Sequence, residues 1–162
     1  LLLTPESGAT DTLVVYLHGN PGSPLQPASW LVDPLLEQGI AVFHLNYRGL
    51  WGNAGDFNLA NAIGDLRSAL TFLAAPEVLR EYGVDPDRIV LFGYSFGTAV
   101  SLIGAHDDDR VAAIASLSPC DRGYFGAEFA DPESPLRGIP RRRHRGVVRR
   151  GRSDPAGRGG VH

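Results

Sequence analysis

The segment Gly93-Tyr94-Ser95-Phe96-Gly97 puts a serine midway between two glycines, in the pattern G-x-S-x-G. That spacing suits nucleophilic attack on a carbonyl when a strand turns abruptly into a helix at the serine. The bend is tight enough to press the residues two before and two after the serine together. Glycine at 93 and 97 removes both Cβ atoms from that contact. Ser95 would then sit in a strained conformation at the tip, with its hydroxyl clear of the sheet edge. The free N–H groups and dipole of the helix that begins there favour negative charge beside it.

A second segment, His18-Gly19-Asn20-Pro21-Gly22, closes another apolar run. In a parallel sheet it would lie on the same edge as Ser95. Its tight loop can turn the Asn20 backbone N–H toward the serine, where the Phe96 N–H also points. Two such donors would form an oxyanion hole, worth about 2.7–4 kcal/mol per donor in the transition state. His18 stands directly after the strand. It suits an orienting role beside Gly19 better than that of a base.

The intervening residues must supply the scaffold. Thr12 to Leu17, Ile40 to Leu45, Arg88 to Phe92 and Val111 to Ser116 are short, apolar and rich in β-branched or small residues, and read as buried strands. Ser29 to Glu37 reads as a helix with Ser29 as its cap, Gly39 past its end and Pro34 as a weak point. Leu59, Ile63, Leu66, Leu70 and Leu73 recur at spacings of three and four, one stripe of an amphipathic helix. Phe96 to Ala105 reads as a small-residue helix, and Asp85-Pro86-Asp87 as a turn. Alternating strands and helices predict an α/β fold: a mostly parallel sheet with helices on both faces.

HGNPG, NYRGLWGNAGDF and DPDRIVLFGYSFGTAVSL together resemble the α/β-hydrolase fold, most nearly its prolyl-oligopeptidase-like and dienelactone-hydrolase-like branches. The resemblance runs from about Leu13 to about Asp121. It implies Ser95 as nucleophile, Asn20 and Phe96 as oxyanion donors, and His18, Gly19, Gly93 and Gly97 as structural residues of the site. Thr98 replaces a frequent second glycine after the elbow. HGNP also occurs in haloalkane dehalogenases, but those place aspartate where this chain has Ser95. The implied substrate is a small ester or peptide, cleaved through an acyl-enzyme without metal or organic cofactor. Tyr47, Trp51 and Tyr94, with Leu50 and Phe57, are candidates to line the acyl pocket, core packing being the other reading.

In that fold the serine is followed in the chain by an acid and then a histidine. After Ser95 the histidines are His106, His144 and His162. A helix rising 1.5 Å per residue carries His106 about 15 Å from the serine, too far for a base. Asp121 is an acid candidate or an ordinary turn residue. The expected enzyme is therefore C-terminally incomplete as written, with impaired turnover.

Charge divides the chain. Residues 1–140 hold seven Arg and seventeen Asp plus Glu, a balance of −10, whereas residues 141–162 hold eight Arg and one Asp, a balance of +7. The first stretch reads as the partial hydrolase domain and the second as a disordered basic tail, with thirteen Arg or Gly in 22 residues and no aromatics. A shifted reading frame in GC-rich coding is the favoured origin of that tail. A phosphate-binding tail and an inert extension are the alternatives. Nucleic acid is not the expected partner, because stacking aromatics are missing from the tail. A truncated, poorly folding product with an open sheet edge is a further alternative. The absence of Met and Lys suits a frame that starts upstream and GC-rich coding. No apolar run approaches the 18–20 residues of a membrane span, Leu1-Leu2-Leu3 is too short for a signal core, and a lone Cys120 suits a reducing, cytoplasmic setting. Oligomeric state is left open.

Overall fold

The structure is a computed structural model that describes residues 1–20 and 29–119. Asp121, Cys120, the 140/141 boundary and the basic stretch with His144 and His162 lie outside the described residues, as do Pro21 and Gly22. The elements run β1 (Leu2–Leu3), β2 (Thr10–Leu17), α1 (Ser29–Glu37), β3 (Ala41–Leu45), α2 (Leu59–Leu73), α3 (Pro76–Tyr82), β4 (Val84–Tyr94), α4 (Phe96–Gly104) and β5 (Val111–Leu117).

Both faces of the sheet are apolar, so both are covered. Along β2, Leu13, Val15 and Leu17 point to one face and Val14 and Tyr16 to the other. The first face packs on Ile63, Leu66, Leu70 and Leu73 of α2, Val78 of α3 and Val100 of α4. The second packs on Val32 of α1, with Leu31, Leu35 and Leu36 around it. Each large aliphatic side chain fully buried this way contributes about 1.5–3 kcal/mol.

The strand order is β1-β3-β2-β4-β5. β1 is antiparallel to β3, and the other pairs are parallel. Parallel strands bring Leu17, Leu45, Tyr94 and Leu117 to one edge, the carboxyl edge where open α/β sheets bind ligands. Within the described residues no helix is long and apolar enough to cross a membrane.

Three details differ from the expectation. Asp85-Pro86-Asp87 is not a turn but part of β4. From Thr10 to Thr12 on β2 the ladder advances from Val84 to Arg88 on β4, so extra residues on β4 are absorbed as a bulge. Ser29 is already helical rather than the residue before the helix. Pro34 stays inside α1. It is exposed, as is Trp30, the residue whose carbonyl it leaves without an N–H.

The α2 stripe is as the spacing predicts, with Ile63, Leu66, Leu70 and Leu73 buried. Asn58 caps the helix: its φ is −156° and its side chain accepts from the Asn61 N–H at 2.8 Å. Asn58→Ala is expected to cost about 1 kcal/mol, read as a lower urea midpoint with unchanged slope.

Candidate active site

Ser95 stands between Tyr94, the last residue of β4, and Phe96, the first of α4. Its backbone lies at φ 51°, ψ −114°, a region that non-glycine residues rarely occupy. Such a conformation costs on the order of 1–3 kcal/mol and persists only where the surroundings impose it. The surroundings are visible on both sides. The Ser95 N–H donates to the Leu117 carbonyl at 3.0 Å, tying the corner to β5. The Thr98 N–H donates to the Ser95 carbonyl at 3.0 Å, closing the first turn of α4.

The flanking glycines are sterically required. A Cβ at Gly93 would lie 2.6 Å from Thr98 Cα and 2.7 Å from both the Gly97 carbonyl oxygen and Ser101 Oγ. A Cβ at Gly97 would collide with the Leu17 carbonyl, lying 2.6 Å from its carbon and 3.0 Å from the His18 oxygen. Gly97 thus serves a contact the motif alone did not reveal: it seats α4 against the end of β2. Thr98 Oγ1 donates to the Gly93 carbonyl at 3.0 Å and Ser101 Oγ to the Gly97 carbonyl at 2.8 Å, fastening the corner from inside. Relieving the strain should stabilise the chain. Ser95→Gly is expected to raise the unfolding free energy by about 1 kcal/mol, measured by denaturant titration, as strain relief exceeds the added chain entropy.

The HG loop comes to the serine by register. Leu17 pairs with Gly93, so His18-Gly19-Asn20 runs beside Tyr94-Ser95-Phe96. A Cβ at Gly19 would lie 3.1 Å from Ser95 Cβ and 3.1 Å from the Tyr94 ring. His18 is buried, and its Nδ1 lies 2.6 Å from the Gly19 carbonyl oxygen. A carbonyl only accepts, so the proton is on Nδ1. Burial lowers the His18 pKa, and the bond to Gly19 opposes this in part.

Beneath the loop lies a residue that sequence reading passed over. His44, the fourth residue of β3, is 1% exposed. Its ring meets His18 edge-on at 5.7 Å and Tyr16 at 5.2 Å. Neither His44 nitrogen, nor His18 Nε2, has a hydrogen-bond partner. Burial first, then the charge of a protonated His18, then the chain's amino terminus depress the His44 pKa to about 4. The only signal in the sequence was a lone polar residue in an apolar strand.

The loop residues after β3 divide. Tyr47 is 0% exposed, in keeping with core packing, the other of its two readings. Its ring packs on His18 at 4.6 Å, Phe57 at 5.9 Å and Phe96 at 5.7 Å, and its hydroxyl donates to the His18 carbonyl at 3.4 Å. It wedges between the HG loop and the start of α4. Leu50 and Phe57 also pack against the core. Trp51 and Tyr94 are exposed, and Trp51 has φ 55°. The Arg48 backbone N–H and Nε donate to the Asp65 carboxylate at 2.9 and 2.7 Å, bracing this loop on α2.

No described histidine hydrogen-bonds to Ser95. His18 uses Nδ1 on Gly19 and has no partner at Nε2, while His44 has none at either nitrogen. His106 lies beyond the far end of α4, paired with Asp107 at 2.8 Å.

A family model described as alpha/beta hydrolase family matches residues 14–160. The uncharacterized protein YfhR of Escherichia coli K12 is 34% identical over 104 residues, which are 62% of this chain and 34% of that protein. The quorum-quenching protein AidA of Acinetobacter baumannii is 23% identical over 140 residues, 84% of this chain and 44% of that one. The chain therefore spans a third to under half the length of these relatives. Among solved structures, XC6422 from Xanthomonas campestris, described as an a/b serine hydrolase without lid, superposes with a TM-score of 0.57 at 25% identity. That match covers 73% of this chain and 54% of XC6422.

Proposed function

Because the chain belongs to the alpha/beta hydrolase family, we propose that it is the nucleophile-bearing part of a serine hydrolase acting on a small ester or amide. Ser95 Oγ attacks the carbonyl carbon and gives up its proton to a base. The carbonyl oxygen becomes an oxyanion facing the Asn20 and Phe96 N–H groups. Collapse expels the alcohol or amine, which takes the proton, and water then releases the acid from the acyl-serine. The observation that carries this reading is the strained Ser95 backbone at φ 51°, in contact range of Gly19. Strain of this kind gathers at functional sites, and here it falls on the serine at the strand-to-helix corner.

The prolyl-oligopeptidase-like or dienelactone-hydrolase-like branch is part of the proposal, supported by the NYRG and DPDRI segments. His18, His44 and His106 make no hydrogen bond to Ser95; the reading is that the triad histidine is missing from this chain, with Asp121 the acid candidate. The chain as written is accordingly proposed to acylate slowly.

Intact-mass analysis after incubation with an alkyl fluorophosphonate tests this. The expected result is one adduct, mapped to Ser95 and absent from Ser95→Ala, forming slowly and with a rate that rises steadily with pH. No adduct, or an adduct that survives Ser95→Ala, would overturn the nucleophile. Rapid labelling with a bell-shaped pH profile would overturn the impairment alone.

A further inference from the structure

One buried side chain touches both halves of the proposed oxyanion hole. Tyr47, 0% exposed, follows β3 in the chain. Its ring packs on His18 at 4.6 Å and meets the Phe96 ring at 83° and 5.7 Å. His18 opens the loop that carries the Asn20 N–H, and Phe96 carries the other donor. The Tyr47 hydroxyl donates to the His18 carbonyl at 3.4 Å, and that oxygen lies 3.0 Å from where a Gly97 Cβ would stand. The His18–Gly19 peptide is therefore bounded by Tyr47 and by the first turn of α4.

The next peptide is held through His18, whose Nδ1 donates to the Gly19 carbonyl at 2.6 Å. That carbonyl and the Asn20 N–H belong to one peptide, and in a trans peptide they point opposite ways. Fixing the carbonyl fixes the line of the N–H, and the imidazole that fixes it rests on Tyr47. Tyr47 is itself firmly mounted. Its carbonyl accepts from Asn53 Nδ2 at 3.2 Å, and the N–H of the same peptide, that of Arg48, donates to the Asp65 carboxylate at 2.9 Å. Asp65 belongs to α2, so the mount reaches the helix layer. Burial, then the charges of Tyr16 and Asp65, raises the Tyr47 pKa and keeps the phenol a donor. We propose that Tyr47 is a positioning residue that sets the gap between the two oxyanion donors, holding the HG loop and the start of α4 at the spacing a charged oxygen needs. This assignment rests on Ser95 being the nucleophile with Asn20 and Phe96 as donors, and adds a residue to that reaction.

The test compares Tyr47→Phe and Tyr47→Leu in the full chain, with alkyl fluorophosphonate labelling of Ser95 scaled to the folded fraction. Tyr47→Phe keeps the ring and loses the hydroxyl, and should label about fivefold more slowly, less than the loss of a donor outright. Tyr47→Leu loses the ring as well and should label about fiftyfold more slowly, because displacing a catalytic group by about 1 Å costs on the order of a hundredfold. Val78→Ala is the control for lowered stability alone. It opens the core under α3, before the start of β4, and should label at the parent's rate. The phosphorus NMR resonance of the Ser95 adduct reads the hole directly, since it responds to hydrogen bonds on the phosphonyl oxygen. In Tyr47→Phe it should move from the parent's position toward that of the adduct unfolded in urea. Should Tyr47→Leu fail to fold, the rate and resonance of Tyr47→Phe decide. Labelling of Tyr47→Phe at the parent's rate, an unmoved resonance, or equal slowing in Val78→Ala would overturn the positioning role while leaving the nucleophile standing. Absence of Ser95 labelling in the parent would remove the nucleophile, and with it this assignment.

Discussion

Gly97→Ala is expected to unfold most of the population or to lower stability by about 3–5 kcal/mol, at the top of the range for point substitutions. The added methyl would overlap the Leu17 carbonyl and lie 3.0 Å from the His18 oxygen. Both obstacles are backbone. Neither can rotate away like a side chain, so β2 must retreat from α4 or the corner at Ser95 must lift. Leu17 is paired with both Leu45 and Gly93, so retreat would break two ladders at the carboxyl edge. Gly64→Ala is the matched control. Nothing lies within 4 Å of that position, which is inside α2, and helix propensity alone predicts a gain of up to about 1 kcal/mol. Urea titrations of both variants decide the point. A Gly97→Ala midpoint close to that of the unsubstituted chain would mean that α4 is not seated on β2 as described.

What could be read from residues alone was whatever local sterics or periodicity encode. G-x-S-x-G encodes a corner because the clash it avoids involves residues two apart from the serine. The stripe of α2 encodes a buried face over several turns. By contrast, β1 is only two residues long and gains its strand identity from pairing with Phe43 and Val42. Seven residues of α3, from Pro76 to Tyr82, are too few for a repeating apolar face. Asp85-Pro86-Asp87 carries turn-forming residues, but β4 runs through them and takes them up as a bulge opposite β2.

The site divides the same way. The strained serine and its proximity to Gly19 followed from spacing and parallel register. The depth of Tyr47 did not, because an aromatic in a glycine-rich loop can face outward or wedge inward. What decides it is contact with His18 and Phe96, far away in the chain. His44 was illegible for the same reason. Within IAVFHL nothing says that the neighbour across the ladder is Tyr16, or that a second histidine lies against its ring.

That histidine pair gives the chain an acid-sensitive stability distinct from its carboxylates. His44 titrates at about 4 in the fold and near 6.5 when unfolded. The folded pKa is depressed, so below pH 6.5 the unfolded chain binds a proton that the folded chain refuses. Stability from this group is complete above 6.5, falls as pH drops, and stops falling near 4. The shift corresponds to about 3 kcal/mol at the acid end of that window. His18, also depressed by burial, acts in the same direction. The lowered carboxylates Asp11 and Asp108 contribute in more acid solution, because their unfolded values are already at 3.8. His44→Phe keeps a ring against Tyr16 and His18 and removes two nitrogens that have no partners. The variant is expected to match the parent within about 1 kcal/mol at pH 7.5, as a volume-conserving ring exchange. Between pH 6.5 and 4 its stability should decline by about 3 kcal/mol less than the parent's. Since both imidazoles lie under the loop that carries Gly19, labelling of Ser95 in the parent should fall over the same interval. Parallel stability profiles for parent and variant across that interval would show that His44 is not the group that resists protonation.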